Sequence, residues 1–201
     1  MIRIPNRTLI RTAAQQHVMP PILYPVAGFL GVMWAVYLAD FIVPGSFIEF
    51  GLVPRTFRRL PGIALMPFLH ANLAHLIGNT IPVAILLSLT VLTRERPWES
   101  VTAIIVGGGV LLWLFGRPAN HVGASGLVFG LITFLMIVGI REKQFVSIAV
   151  AIAVGLFFGG SLLGGIIPSF GSSVSWDGHL FGAIAGVLVG VATSEKVTHF
   201  F

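Results

Sequence analysis

Six runs of about 20 predominantly apolar residues dominate this sequence, lying near residues 22 to 43, 71 to 92, 99 to 115, 124 to 140, 145 to 166 and 178 to 194. A run of that length matches the hydrocarbon thickness of a bilayer. In lipid only a helix or a closed barrel satisfies its own backbone, and runs this long and continuously apolar suit helices. The chain is therefore expected to be an all-α membrane protein. Its spans form one six-helix bundle over residues 22 to 194, with tails at 1 to 21 and 195 to 201.

Charged residues make up 9% of the chain and the mean hydropathy is +0.96, whereas soluble domains carry roughly 25% charged residues. The formal charge of +5 does not point to nucleic acid, because the 12 basic residues are divided among the turns between apolar runs. There is no cysteine, which excludes disulfides, thiolate metal sites and cysteine nucleophiles. The opening MIRIPNRTLIRTAAQQHVMP is basic and lacks an apolar core. It is expected to be a cytoplasmic tail and not a cleavable signal peptide. With the N-terminus inside, Arg3, Arg7, Arg11, Arg94, Arg96, Arg141, Lys143 and Lys196 face the cytoplasm, against Arg55, Arg58, Arg59 and Arg117 outside. That balance favours a cytoplasmic N-terminus.

The connections are short except for residues 44 to 70, PGSFIEFGLVPRTFRRLPGIALMPFLH. Phe47, Ile48, Phe50, Phe57 and Leu60 interleave there with arginines, which suits a segment lying along the membrane interface.

Polar side chains at membrane depth are costly and invite a functional reading. His75 and Asn79 stand near the start of the second span, Ser125 at the start of the fourth and His179 near the start of the sixth. Successive spans alternate in direction, so these three starts share one face of the membrane whichever way the chain is inserted. His75 and Asn79, four residues apart, project from one helix face about 6 Å from each other. Helix starts also present unbonded N–H groups and a positive dipole end, the outline of an oxyanion site. A serine needs a base to take its proton, and a neutral histidine is suited to that near neutral pH. Ser125 lies in GASGLVFG, where Gly123, Ala124 and Gly126 leave room for close approach. Small residues are ordinary at membrane helix contacts, so GxSG alone reads more readily as a cap beside packing glycines. Gly178, Gly182, Gly186 and Gly190 recur every four residues in the sixth span, and Gly126 and Gly130 keep the same register in the fourth. The two helices are expected to pack closely and so to bring Ser125 toward His179.

FLHANLAHLIGNT, GASGLVFG and DGHLFGAIAG, in that order, resemble the three motif segments of rhomboid intramembrane proteases, and the resemblance covers about residues 22 to 194. It implies a six-helix rhomboid-like bundle and a serine endopeptidase that cuts transmembrane protein substrates, single-span or otherwise, within the bilayer. No metal, nucleic acid or cofactor is expected to take part. By this resemblance Ser125 is the nucleophile, His179 the general base, and His75, Asn79 and the Ser125 N–H hold the oxyanion. His70 matches the first histidine of the family's HxxxxHxxxN pattern and is expected to be structural, holding the first loop. Phe129, one turn after Ser125, is expected to pack on His179 where related enzymes often have tyrosine; Gly123 and Gly126 support the site. Asp177 is expected to be a helix N-cap and not a third catalytic residue, and His121 a loop histidine facing the cavity or solvent. Residues 169 to 176, SFGSSVSW, are expected to cap the site. The first loop lacks the Trp-Arg pair of several family members, which leaves its anchoring open. The chain is expected to be a multi-pass protein of the plasma (inner) membrane, and the cytoplasmic N-terminus favoured by the loop charges puts the active site near the outer face.

Two other classes fit less well. A proton-relaying transporter would need polar groups in both membrane halves, whereas Asp40 and Asp177 both lie near span ends. A zinc protease would need an HExxH helix, which is absent. A family member that binds membrane proteins without cutting them stays open, with Ser125 and His179 both present against it.

Overall fold

The computed structural model describes residues 20–168 and 174–194. Long helices α1 (Tyr24–Ala39), α3 (Leu73–Thr93), α4 (Pro97–Phe115), α5 (Ser125–Glu142), α6 (Phe145–Ile166) and α7 (Trp176–Thr193) are joined by a short α2 (Gly62–Leu65) and several 3-10 turns. Six of these helical segments are long and apolar enough to cross a membrane, the first extended by the 3-10 turn at Pro21–Leu23. The all-α bundle expected from the sequence is what the described residues form.

Local chemistry sets the helix ends. The first span stops at Ala39 and not near 43. Pro44 follows and restricts the residue before it, and Gly45 adopts a positive φ of 104°. The sixth begins at Trp176 and not 178, because the Ser175 side chain accepts from the Gly178 N–H at 3.2 Å and caps it. Asn72 caps α3 in the same way, accepting from the His75 N–H at 2.9 Å. The anticipated cap at Asp177 is therefore corrected. Asp177 lies in the first turn of α7, and the hydroxyl one turn before Gly178 reaches the orphan amide first.

Helix α5 is the core of the bundle, with Leu127, Leu131, Ile132, Phe134 and Leu135 buried. It packs chiefly on α7 and α6, with α3 and α4 completing the ring, while α1 leans on α3 from outside. A Cβ on Gly182 would overlap the Gly126 carbonyl oxygen, and one on Gly186 would overlap that of Gly130. The two backbones thus meet where the glycine register predicts. Across this contact the Thr133 hydroxyl donates to the Ala183 carbonyl at 2.7 Å.

The first loop is held by the α4–α5 loop. Leu52 and His121 exchange backbone hydrogen bonds of 3.0 and 2.8 Å, the Gly123 N–H donates to the Met66 carbonyl at 2.8 Å, and Asn120 Nδ2 donates to the Ile48 carbonyl at 2.7 Å. Arg55 donates to the Leu114 and Gly116 carbonyls at the end of α4, at 3.2 and 2.9 Å. Phe57 sets its ring edge-on to Trp113. Phe50 and Phe57 remain exposed, as a segment at the membrane interface requires. Arg55 and Trp113 thus anchor a loop that lacks an internal Trp-Arg pair.

At the opposite end, Arg94 grips buried Glu142 through two hydrogen bonds of 2.9 and 2.6 Å, and the Ser147 hydroxyl adds a third at 2.8 Å. This ties the α3–α4 turn to the junction of α5 and α6.

Two stability measurements follow. Gly182→Ala should destabilise the fold by about 1–3 kcal/mol, read from thermal unfolding in detergent, because its methyl has no room against the Gly126 carbonyl. Glu142→Gln should cost about 3 kcal/mol, because the Arg94 guanidinium loses its charge partner in a mostly buried setting.

Candidate active site

The starts of α3, α5 and α7 face one cavity of about 580 Å³ whose polar lining includes Asn72, His75, Asn79, Asn120, Ser125, Ser175 and His179. Ser125 is the first residue of α5, so its N–H has no carbonyl one turn back to bond with. Ser125 Oγ lies 2.9 Å from His179 Nε2. His179 Nδ1 lies 3.0 Å from the Gly165 carbonyl of α6. A carbonyl only accepts, so Nδ1 carries the proton and the Nε2 lone pair faces the serine hydroxyl. Phe129 stacks on the imidazole with centroids 4.1 Å apart and planes 9° from parallel. The hydrogen bond and the ring between them fix the imidazole in position and tilt.

Gly165 is the residue the sequence reading missed. A Cβ there would collide with Phe129 and come 3.2 Å from His179 Nδ1. The signal available was the paired glycine at 164 and 165, which reads equally as helix packing.

His75 and Asn79 stand across the cavity, against Gly123. Gly123 has φ 109°, and a Cβ on it would come 2.5 Å from His75 Nε2 and 3.6 Å from Asn79 Nδ2. Glycine is required there by both conformation and space. Asn79 Nδ2 donates one hydrogen to the His75 carbonyl at 3.0 Å, which leaves the second to point elsewhere. His75, Asn79 and Ser125 thus line the same cavity, and the Ser125 amide at the start of α5 has no backbone partner one turn back. Gly126 serves the packing, since a Cβ on it would lie 3.3 Å from the Gly178 carbonyl.

His70 is buried behind His75, edge-on with ring centroids 5.1 Å apart. Its Nδ1 lies 3.4 Å from the Phe68 carbonyl, a weak bond within its own loop. Its Nε2 has no partner among the described residues.

One expectation is corrected here. His121 does not face the cavity or solvent; it is 3% exposed, with Nδ1 2.7 Å from Ser175 Oγ and Nε2 3.1 Å from the Arg117 carbonyl. The loop folds it inward because the Leu52 pairing turns its backbone to the first loop. Asp177 accepts from the Arg117 N–H at 2.8 Å and from its guanidinium at 3.1 Å. Of the expected cap at 169 to 176, residues 169 to 173 lie outside the described residues.

A family model, the Rhomboid domain, matches residues 58–196. Uncharacterized proteins of Mycobacterium tuberculosis and Mycobacterium bovis are each 37% identical over 169 residues, covering 80% of this chain and 70% of their own length. One from Mycobacterium leprae matches at the same identity over 66% of its length.

A pH prediction comes from His70. Burial, and then the neighbouring His75, lower its pKa from 6.5 to about 4, against a smaller opposing pull from the Phe68 carbonyl. The unfolded chain then takes up a proton more readily than the folded one, so stability falls as pH drops from 6.5 toward about 4. The melting temperature in detergent should decline over that window, and His70→Gln should flatten the decline.

Proposed function

Because the chain belongs to the rhomboid family of intramembrane serine proteases, we propose that it is an endopeptidase that cuts transmembrane protein substrates with a Ser125–His179 dyad. The observation that carries this reading is the 2.9 Å Ser125–His179 contact, with the histidine tautomer set by Gly165. Ser125 Oγ attacks the scissile carbonyl while its proton passes to His179 Nε2. The carbonyl oxygen becomes an oxyanion held by the Ser125 N–H, Asn79 and His75. The imidazolium then returns its proton to the leaving amine, and an acyl-enzyme remains. Water entering through the polar cavity repeats the sequence and releases the acid.

No carboxylate takes part. The Gly165 carbonyl and the Phe129 ring orient His179 where an aspartate would in a triad, and Asp177 is occupied by Arg117. The catalytic domain spans residues 22 to 194. The basic tail at 1 to 21 and the tail at 195 to 201 lie on the cytoplasmic side of the plasma membrane, with the site near the outer face. The loop-charge balance supports that orientation.

Purified protein in detergent should cleave a single-span reporter substrate, and Ser125→Ala and His179→Ala should each reduce kcat by about 10³-fold or more while melting as the wild type does. Undiminished cleavage by Ser125→Ala would remove the serine from the mechanism, and a wild type that cuts no substrate would favour a binding role without proteolysis.

A further inference from the structure

A buried polar cluster joins the α4–α5 loop to the first turn of α7, and the dyad chemistry makes no direct use of it. His121 stands at its centre with every polar group engaged. Its backbone N–H and carbonyl pair with Leu52, its Nε2 lies 3.1 Å from the Arg117 carbonyl, and its Nδ1 lies 2.7 Å from Ser175 Oγ. The Arg117 carbonyl can only accept, so Nε2 carries the proton and the Nδ1 lone pair accepts from the Ser175 hydroxyl. Ser175 Oγ in turn accepts from the Gly178 N–H, which makes this hydroxyl the cap of α7. Asp177, 3.8 Å from His121 Nε2, accepts from both the Arg117 N–H and its guanidinium, and the guanidinium also lies over the Trp176 ring.

The spacing gives the cluster leverage over the dyad. Ser125 lies four residues beyond His121 and His179 four residues beyond Ser175. The two segments that carry the reacting groups therefore start from one 2.7 Å contact and meet again at the 2.9 Å contact of the dyad. An ordinary cap serine needs no partner to hold its rotamer. Here the hydroxyl has two acceptors, and the imidazole, pinned also to the first loop, is the nearer, at 2.7 Å against 3.4 Å for the Asp177 carboxylate.

We propose that His121 is a positioning residue of the proteolytic site: through the Ser175 hydroxyl it holds the capped first turn of α7, and with it His179, in register with the loop that carries Ser125. The proposal rests on the dyad reading. His121 serves in its neutral form, and its burial, which outweighs the opposing pull of the Arg117 carbonyl and Asp177, favours that form.

The test compares wild type, His121→Leu, His121→Asn, Ser175→Ala and the His121→Leu/Ser175→Ala double variant in detergent. It measures kcat and KM on a single-span substrate, the rate at which a fluorophosphonate labels Ser125, and the melting temperature. Glu142→Gln, at the far end of the bundle, is the control for destabilisation alone. His121→Leu should lower kcat and the labelling rate together by about 10- to 100-fold, with KM nearly unchanged, because a small displacement of a reacting group is enough. His121→Asn, whose amide oxygen can stand in for Nδ1, should recover most of that loss. The double variant should fall no further than the worse single one, since both break one link. Should His121→Leu fail to fold, Ser175→Ala and His121→Asn carry the same comparison.

Labelling of His121→Leu at the wild-type rate would overturn the proposal. So would multiplicative losses in the double variant, or an equal fall in kcat for Glu142→Gln at matched melting temperature. If wild type itself is neither labelled nor active, the dyad reading fails and this one with it; a labelled wild type with unaffected His121 variants removes this inference alone.

Discussion

The close approach of α5 and α7 is the constraint on which the site depends. Hydrophobic burial does not drive helices together in lipid, so association relies on van der Waals contact and on hydrogen bonds between backbones brought near. Gly182 and Gly186 lie directly against the carbonyl oxygens of Gly126 and Gly130, and Thr133 donates across to Ala183. Ser125 lies one residue before this contact and His179 between two of its glycines, so the interhelical distance becomes the distance between hydroxyl and imidazole. A side chain at these positions would push apart the two groups that must lie within one hydrogen bond.

Around that contact, the buried ion pairs lie at the helix ends, and almost all polar side chains there are satisfied. At one end Arg94, Glu142 and Ser147 bind three elements together. At the other, Arg117, Asp177, His121 and Ser175 bind the α4–α5 loop to α7. Between them the middle of α5 is apolar except for Thr133, whose hydroxyl reaches the Ala183 carbonyl. Such a division follows from the cost of an unpaired polar atom away from water. His70 Nε2, Arg117 Nε and Trp176 Nε1 depart from it, buried without a partner among the described residues, and for His70 burial, then the neighbouring His75, depresses the ring's affinity for a proton.

The first loop shows how the same requirement is met by different residues. Without a Trp-Arg pair inside the loop, Arg55 reaches the final carbonyls of α4 and Phe57 meets Trp113 on that helix. The loop is secured to its neighbours and not to itself. Its backbone pairing at Leu52 and His121 links it to the segment that leads into Ser125.

Helices, their order and the side on which Ser125, His179, His75 and Asn79 gather were all legible in the sequence. They depend on local length, apolarity and the alternation of spans, and each of these is a property of contiguous residues. The glycine register also identified which helices would meet, because small residues every four positions leave only one face open for close approach. Gly165, His121 and Asp177 were not legible in the same way. A glycine whose carbonyl sets a histidine tautomer reads in sequence as one more packing residue. A loop histidine reads as solvated, and a carboxylate at a helix start reads as a cap. Each role is decided by a partner 14, 54 or 60 positions away. Only the tertiary structure supplies that partner, because a hydrogen bond depends on distance and direction in space, which spacing along the chain constrains only within one helix or turn.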